Sequence, residues 1–220
     1  MPGRIQVMFA YGLTGVMLVL MIGLNVRVLM GYQFPEGARD LASPLRNGKF
    51  VVLSGGTSPF INAHAKIRPQ QYALDILGLT SAGRHINSLG GSTNLNDYPI
   101  FGAVVYSPCN GSVLAIENGL RDLIPPATDT TNPAGNYVLL ACDGFEVLLA
   151  HMQEGSVKVV AGDVVNVNTQ VGLVGNSGNT SEPHLHIHAE RGGEPATILN
   201  GDSVPITIDG RFLVRGDVIG

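Results

Sequence analysis

The stretch Pro183-His184-Leu185-His186-Ile187-His188 constrains this chain more than any other. Strict alternation of imidazole and branched aliphatic residues is the pattern of a β-strand with one face turned to a core. In such a strand Leu185 and Ile187 point inward, and His184, His186 and His188 share the opposite surface. Neutral imidazole is a common zinc ligand and the commonest general base near neutral pH. A His-x-His pair alone does not make a site, because a metal needs further ligands from elsewhere in the chain.

The rest of the sequence also reads as short strands. Phe50-Val51-Val52-Leu53 runs into Ser54-Gly55-Gly56, and Ile100–Val105 and Ser112–Ile116 are apolar stretches bounded by Pro, Asn and Gly. Asn136–Ala141 and Phe145–Met152 flank Cys142-Asp143-Gly144, and Asp-Gly is a strong hairpin signal. Val157–Val160, Val164–Val167, Gln170–Val174, Pro183–Ala189 and Val204–Ile208 complete the expected strands. The 29 Gly and 13 Pro, with no Gly-X-Y period, fit a turn-rich β protein better than a helix bundle. Ser81–Asp97 and Gly119–Gly135 read as long loops, of the kind that frames a cleft on a sheet scaffold.

Helical length appears only at the start. From Ile5 to Val26 there is no charged residue. About 22 residues at 1.5 Å each give roughly 33 Å, enough to cross a hydrocarbon core of ~30 Å. A cleaved signal peptide has a shorter apolar region and an Ala-x-Ala-like site, and Leu29-Met30-Gly31-Tyr32-Gln33 offers none. The expected organisation is an uncleaved membrane anchor over residues 1–31, a linker over 32–47 and a β domain over 48–220. Charged residues are only 14% of the chain, the net charge is −4 and no basic run is present, so a nucleic-acid partner is not expected.

Other residues join the histidines as candidates. His151 ends the apolar run Val147-Leu148-Leu149-Ala150. Asp75 sits in Gln71-Tyr72-Ala73-Leu74-Asp75-Ile76, where a carboxylate is costly unless paired or bound to a metal. His64 lies eleven residues earlier, and His85 falls in the Gly/Ser loop, where exposure is the simpler reading. Cys109 and Cys142 each sit beside a Gly turn; a disulfide between them, implying an oxidising compartment, and two free thiols are both open. A cupin metal motif also begins like Gly178-x5-His184-x-His186-x3-Glu190, but its second half needs a further histidine, and none follows His188.

Several of these motifs occur together and in order. Ala150-His151, then Gly172-Leu173-Val174-Gly175-Asn176-Ser177-Gly178-Asn179-Thr180, then Pro183-His184-Leu185-His186 resemble the lysostaphin-type (LytM-like) zinc metallopeptidases. Tyr106-Ser107-Pro108-Cys109-Asn110-Gly111-Ser112-Val113 and Gly162-Asp163-Val164-Val165 resemble two further family segments. The likeness runs from about Gly48 to Gly193. It implies a mainly β fold, a compact antiparallel sheet or sandwich with a groove, behind the N-terminal transmembrane helix. It also implies one Zn2+ per site and hydrolysis of peptide bonds in bacterial peptidoglycan. By position, His186 and Asp75 would be zinc ligands, and His151 and His184 the two catalytic histidines flanking the attacking water.

One position departs from the family pattern. The first family motif is His-x-x-x-Asp, and the residue four before Asp75 is Gln71. An amide oxygen is a poor zinc ligand beside imidazole. Three arrangements are open: His64 supplies the missing ligand, Gln71 ligates weakly or merely hydrogen-bonds, or the site is degenerate and the domain binds cell wall or regulates a partner hydrolase. A peptidoglycan site belongs on the extracytoplasmic side of a bacterial cytoplasmic membrane, crossed once. The flanking charges, Arg4 before the span against Arg27, Arg39 and Arg46 after it, argue for the opposite orientation.

Overall fold

The computed structural model describes residues 4–88 and 91–220. Residues 1–3 of the expected anchor and 89–90 of the expected Ser81–Asp97 loop lie outside the described residues. Helix α1 spans Arg4–Met30. Thirteen strands follow: β1 Arg39–Leu41, β2 Lys49–Ser54, β3 Leu74–Leu79, β4 Val104–Tyr106, β5 Gly111–Glu117, β6 Asn136–Cys142, β7 Phe145–Met152, β8 Val164–Val165, β9 Gln170–Leu173, β10 Leu185–Arg191, β11 Asp202–Val204, β12 Ile206–Ile208 and β13 Val218–Ile219. The fold is therefore mainly β.

Nine strands form one sheet in the order β13-β2-β3-β10-β7-β6-β5-β8, with β11 also paired to β10. Every pair in it is antiparallel, as is the separate pair β4-β9. The exception is β1, which runs parallel to β12. Residues 32–47, expected as a linker, thus contain a strand fastened to the far end of the chain, and Leu45 within them is buried.

The alternation in β10 does what the sequence suggests. Leu185, Ile187 and Ala189 enter the main core with Ile76, Leu74, Val147 and Leu149 from the neighbouring strands. The opposite face of β7 carries Leu148 and Ala150, which pack with Ala134 and Leu139. Antiparallel register sets His186 opposite Ala150 and His188 opposite Leu148. The histidine face is therefore floored on one side by small and aliphatic residues.

Several expected strands are shorter than read. Ile100–Val105 reduces to β4, and Val164–Val167 to β8. Val204–Ile208 divides at Pro205 into β11 and β12, since proline has no N–H to give to a ladder. Val157–Val160 is not a strand. Its amides go to scattered acceptors, Val157 to the Asn118 side chain, Lys158 to Val171 and Val160 to the Asp163 side chain. The strand around Asp75 begins at Leu74, and Gln71 caps a 3-10 turn over Arg68–Gln70 instead.

Within α1, Tyr11–Met30 is long and apolar enough to cross a membrane, and none of that segment is buried. The helix ends against the domain. Gly31 O accepts the Thr57 N–H at 2.9 Å, and Thr57 Oγ1 donates to Met30 O at 3.1 Å. A Cβ on Gly31 would lie 2.6 Å from Ser58 Cβ, so this contact needs glycine. The segment that receives the helix leads directly into Asn62 and His64.

Candidate metal centre

Three adjacent strands assemble the centre. Pairing of β3 with β10 sets Asp75 directly opposite His186, so the two side chains are cross-strand neighbours on one face. His186 Nδ1 lies 2.8 Å from Asp75 Oδ1. His64 approaches from the loop before β3, and its Nε2 lies 2.8 Å from the other oxygen, Oδ2. The His64 and His186 rings meet edge to face with centroids 4.8 Å apart. His184 Nε2 lies 3.6 Å from Asp75 Oδ1, and the His151 and His184 centroids are 4.7 Å apart.

Asn62 holds His64 in place. This side chain is buried, and its amide nitrogen donates to Gly56 O, Gln71 O and Ala73 O. Its Oδ1 accepts from Ser54 Oγ and from the His64 N–H. Asn62 was not among the residues singled out from the sequence. The available signal was a short polar residue between a Gly-Gly turn and a candidate ligand.

His151 and His184 are oriented by backbone. His151 Nδ1 is 2.9 Å from Ser177 O, and His184 Nδ1 is 2.9 Å from Glu182 O. A carbonyl only accepts, so each imidazole carries its proton on Nδ1 and keeps Nε2 out of that bond. His151 has φ of 61°, a left-handed conformation uncommon for non-glycine residues and concentrated at functional sites. Together with His64 and His186, it lines a cavity of about 240 Å³, whose wall includes Pro133, Ala134 and Asn179. One of the two expected long loops, Gly119–Gly135, thus frames the cleft.

The remaining candidates lie apart from this group. Gln71 Oε1 accepts from Ser203 Oγ at 3.1 Å, on β11. His85 Nε2 is 3.5 Å from Glu182 Oε2. His184 precedes β10 rather than lying within it, while His186 and His188 share its face as expected. Cys109 and Cys142 are bonded to each other, with Cα atoms 6.0 Å apart.

The charges in the cluster are interdependent. Burial opposes a charge on Asp75, but His184 and hydrogen bonds from His184, His186 and His64 outweigh it, holding the carboxyl well below the usual carboxylate range. Burial also opposes a charge on His184, yet Asp75 and the Glu182 carbonyl raise its pKa above the ordinary value. Burial, then the neighbouring imidazoles, push His151 well below. Burial lowers His186 to about 4, despite Asp75.

A pH dependence follows for chelator-treated protein. Unfolded His186 takes a proton below about 6.5, whereas folded His186 resists it down to about 4. Between those values the unfolded chain binds more protons, so stability falls as the pH falls. His151 adds in the same direction. His184, with a raised pKa, contributes stability that is complete below 6.5 and does not offset this loss. The melting temperature, followed by circular dichroism, is expected to drop by several degrees between pH 6.5 and pH 4.

Two groups of donor atoms, each lying within 4.8 Å of one another, have the geometry to hold a metal ion: His64, Asp75 and His186, and His151, His184 and His186. The first fits zinc in a hydrolytic centre better. It offers two imidazoles and a carboxylate, the three-ligand set that leaves a fourth position open. The second group shares His186 with the first but offers imidazoles alone, with no carboxylate.

Residues 97–198 match the family model for Peptidase family M23. That segment contains His151, His184 and His186, and it begins downstream of His64 and Asp75. Over 86 residues the chain is 34% identical to Endolysin 2638A of Staphylococcus phage 2638A. The alignment covers 38% of this chain and spans only 17% of that relative's length. A zinc containing peptidase from Vibrio cholerae aligns at a TM-score of 0.33 and 18% identity, over 53% of this chain and 46% of that one. A SpoIIIAH and SpoIIQ complex aligns at a TM-score of 0.45 and 15% identity, over 75% of this chain and 96% of that one.

Proposed function

Because residues 97–198 match the model for Peptidase family M23, we propose that the chain is a zinc-dependent endopeptidase that hydrolyses peptide bonds in bacterial peptidoglycan. The observation that carries this reading is the convergence of His64 Nε2 and His186 Nδ1 on the two oxygens of Asp75, each at 2.8 Å, beside His151 and His184. His64, Asp75 and His186 hold the metal, and His64 takes the place of the ligand that the family carries at the position of Gln71. Bound zinc would supply a Lewis acid for the scissile carbonyl and lower the pKa of the attacking water.

The chain's own groups do the remaining work. His151 and His184 each present Nε2, because Nδ1 is committed to a carbonyl. His151, whose pKa burial lowers, accepts the proton released from water during attack, and His184, whose raised pKa favours the doubly protonated ring, donates from Nε2 to the oxygen that becomes negative in the tetrahedral intermediate. Pro133, Ala134, Leu148 and Ala150 give the cavity an apolar wall beside these histidines. Helix α1 anchors the domain in the cytoplasmic membrane with the cleft on the extracytoplasmic side, where the cell wall lies.

The test uses the full chain in detergent. One zinc per chain is expected by elemental analysis, lost in His64→Ala and His186→Ala and retained in Gln71→Ala. Purified peptidoglycan should release new amino termini, and a chelator should stop it. Zinc retained by His64→Ala would remove His64 from the ligand set. Wall binding without new termini, with no zinc, would favour a degenerate binding or regulatory module.

A further inference from the structure

His188 and Glu190 follow His186 on the same face of β10, and both are almost completely buried, at 1% exposure each. Neither is used by the reading above. His188 Nδ1 lies 2.9 Å from His186 Nε2. The other nitrogen of His188 is buried without a hydrogen-bond partner among the described residues, and it lies 3.6 Å from Glu190 Oε1. Glu190 accepts the backbone N–H groups of Leu199, Asn200 and Gly201, at 2.9, 3.1 and 2.7 Å. Three such donors hold a buried carboxylate that pairs with no lysine or arginine among the described residues.

One assignment of protons accounts for every contact in this line. If His186 Nδ1 faces the metal beside Asp75, a neutral ring must carry its proton on Nε2. That N–H donates to His188 Nδ1. His188 then carries its own proton on Nε2, 3.6 Å from Glu190 Oε1, an electrostatic contact longer than a hydrogen bond. Metal-bound histidines almost always donate the remote N–H to a carboxylate, carbonyl or water, which fixes ring and tautomer. Glu190 sits four residues from His186, roughly 13 Å along an extended strand, too far to touch it directly. His188 spans that gap.

We propose that His188 and Glu190 are positioning residues for the metal centre, with His188 relaying the buried Glu190 carboxylate to His186 so that its Nδ1 lone pair is aimed at the ion. The inference rests on the reading of His186 as a ligand. It extends the centre beyond the cleft to a carboxylate that neither substrate nor metal touches.

The test measures Zn2+ affinity of the full chain in detergent, by competition with a chromophoric chelator. The visible spectrum of the Co2+-substituted protein is a second readout. His188→Phe keeps the bulk and removes both nitrogens. It is expected to weaken Zn2+ about 10–100-fold and to alter the Co2+ bands. His188→Gln keeps an acceptor and a donor, and should recover most of that loss, which a packing role alone would not produce. Glu190→Gln removes the charge and keeps the shape; an approximately tenfold loss is expected, and this variant carries the test if His188→Phe does not fold. The relay is overturned if these variants bind Zn2+ within twofold of the parent with unchanged Co2+ bands while Asp75→Ala loses the metal. If the parent takes up no zinc that depends on Asp75, the metal-centre reading falls and the relay with it.

Discussion

Asp75→Ala is expected to abolish zinc uptake and hydrolysis together while leaving a folded chain. Asp75 is the residue on which the cluster converges: His64 at 2.8 Å, His186 at 2.8 Å and His184 at 3.6 Å. Alanine removes a proposed ligand and also the only carboxylate in either donor group, which would leave the imidazoles to face a dication without an opposing charge. Residues that act only behind the ligands typically change affinity 10–100-fold, so a direct ligand is expected to cost more than about 100-fold. The backbone of β3 makes its ladder bonds regardless of the side chain, so the variant should still unfold cooperatively. The contacts of the carboxylate outweigh its burial cost, so the chelator-treated variant should melt below the parent. Asp75→Asn makes the contrast sharper, since it keeps shape and an acceptor and loses only the charge; it too should fail to hold zinc. Retention of one zinc by Asp75→Ala would instead assign the ion to His151, His184 and His186.

The parts of this centre legible in the sequence are those written in local alternation. Residues two apart on a strand share a face, and this placed His186 and His188 together and Leu185 and Ile187 in the core. A carboxylate between apolar residues marked Asp75 as needing a partner. Which partner was not legible from alternation alone, because register between β3 and β10 joins positions 111 residues apart and depends on the whole sheet. The loop to His64 was obscure for a different reason. Its path is set by the bonds of one buried amide, Asn62, to three carbonyls. Gln71 illustrates the same limit: it stands four residues before Asp75, where the family pattern has a ligand, yet the 3-10 turn at Arg68–Gln70 carries it toward Ser203. The Val-rich run at Val157–Val160 has strand propensity, but side-chain acceptors on Asn118 and Asp163 capture two of its amides.

Removing the Cys109–Cys142 bond, as the double variant Cys109→Ala/Cys142→Ala, is expected to cost roughly 3–4 kcal/mol. The two residues are 33 apart, and the bond closes a loop that contains β5 and the irregular Gly119–Gly135 segment. Loop-closure entropy in the unfolded chain grows slowly with length, and a loop of this size lies in the middle of the usual range. For a chain of this length that corresponds to a fall of roughly 10 °C in melting temperature. Zinc affinity should not follow. The cleft wall from the same segment is fastened independently, with Ala134 O accepting the His151 N–H and Asn136 N–H donating to Ser177 Oγ. Loss of both stability and zinc would show instead that the bond holds the cleft. The same pair reports the compartment, which flanking arginines argue one way and the proposed substrate the other. Disulfides persist on the oxidising side of a membrane and are reduced in a cytosol. Trapping thiols in intact cells with an alkylating reagent should therefore find both cysteines protected if the domain faces the wall, and both modified if it faces the cytoplasm.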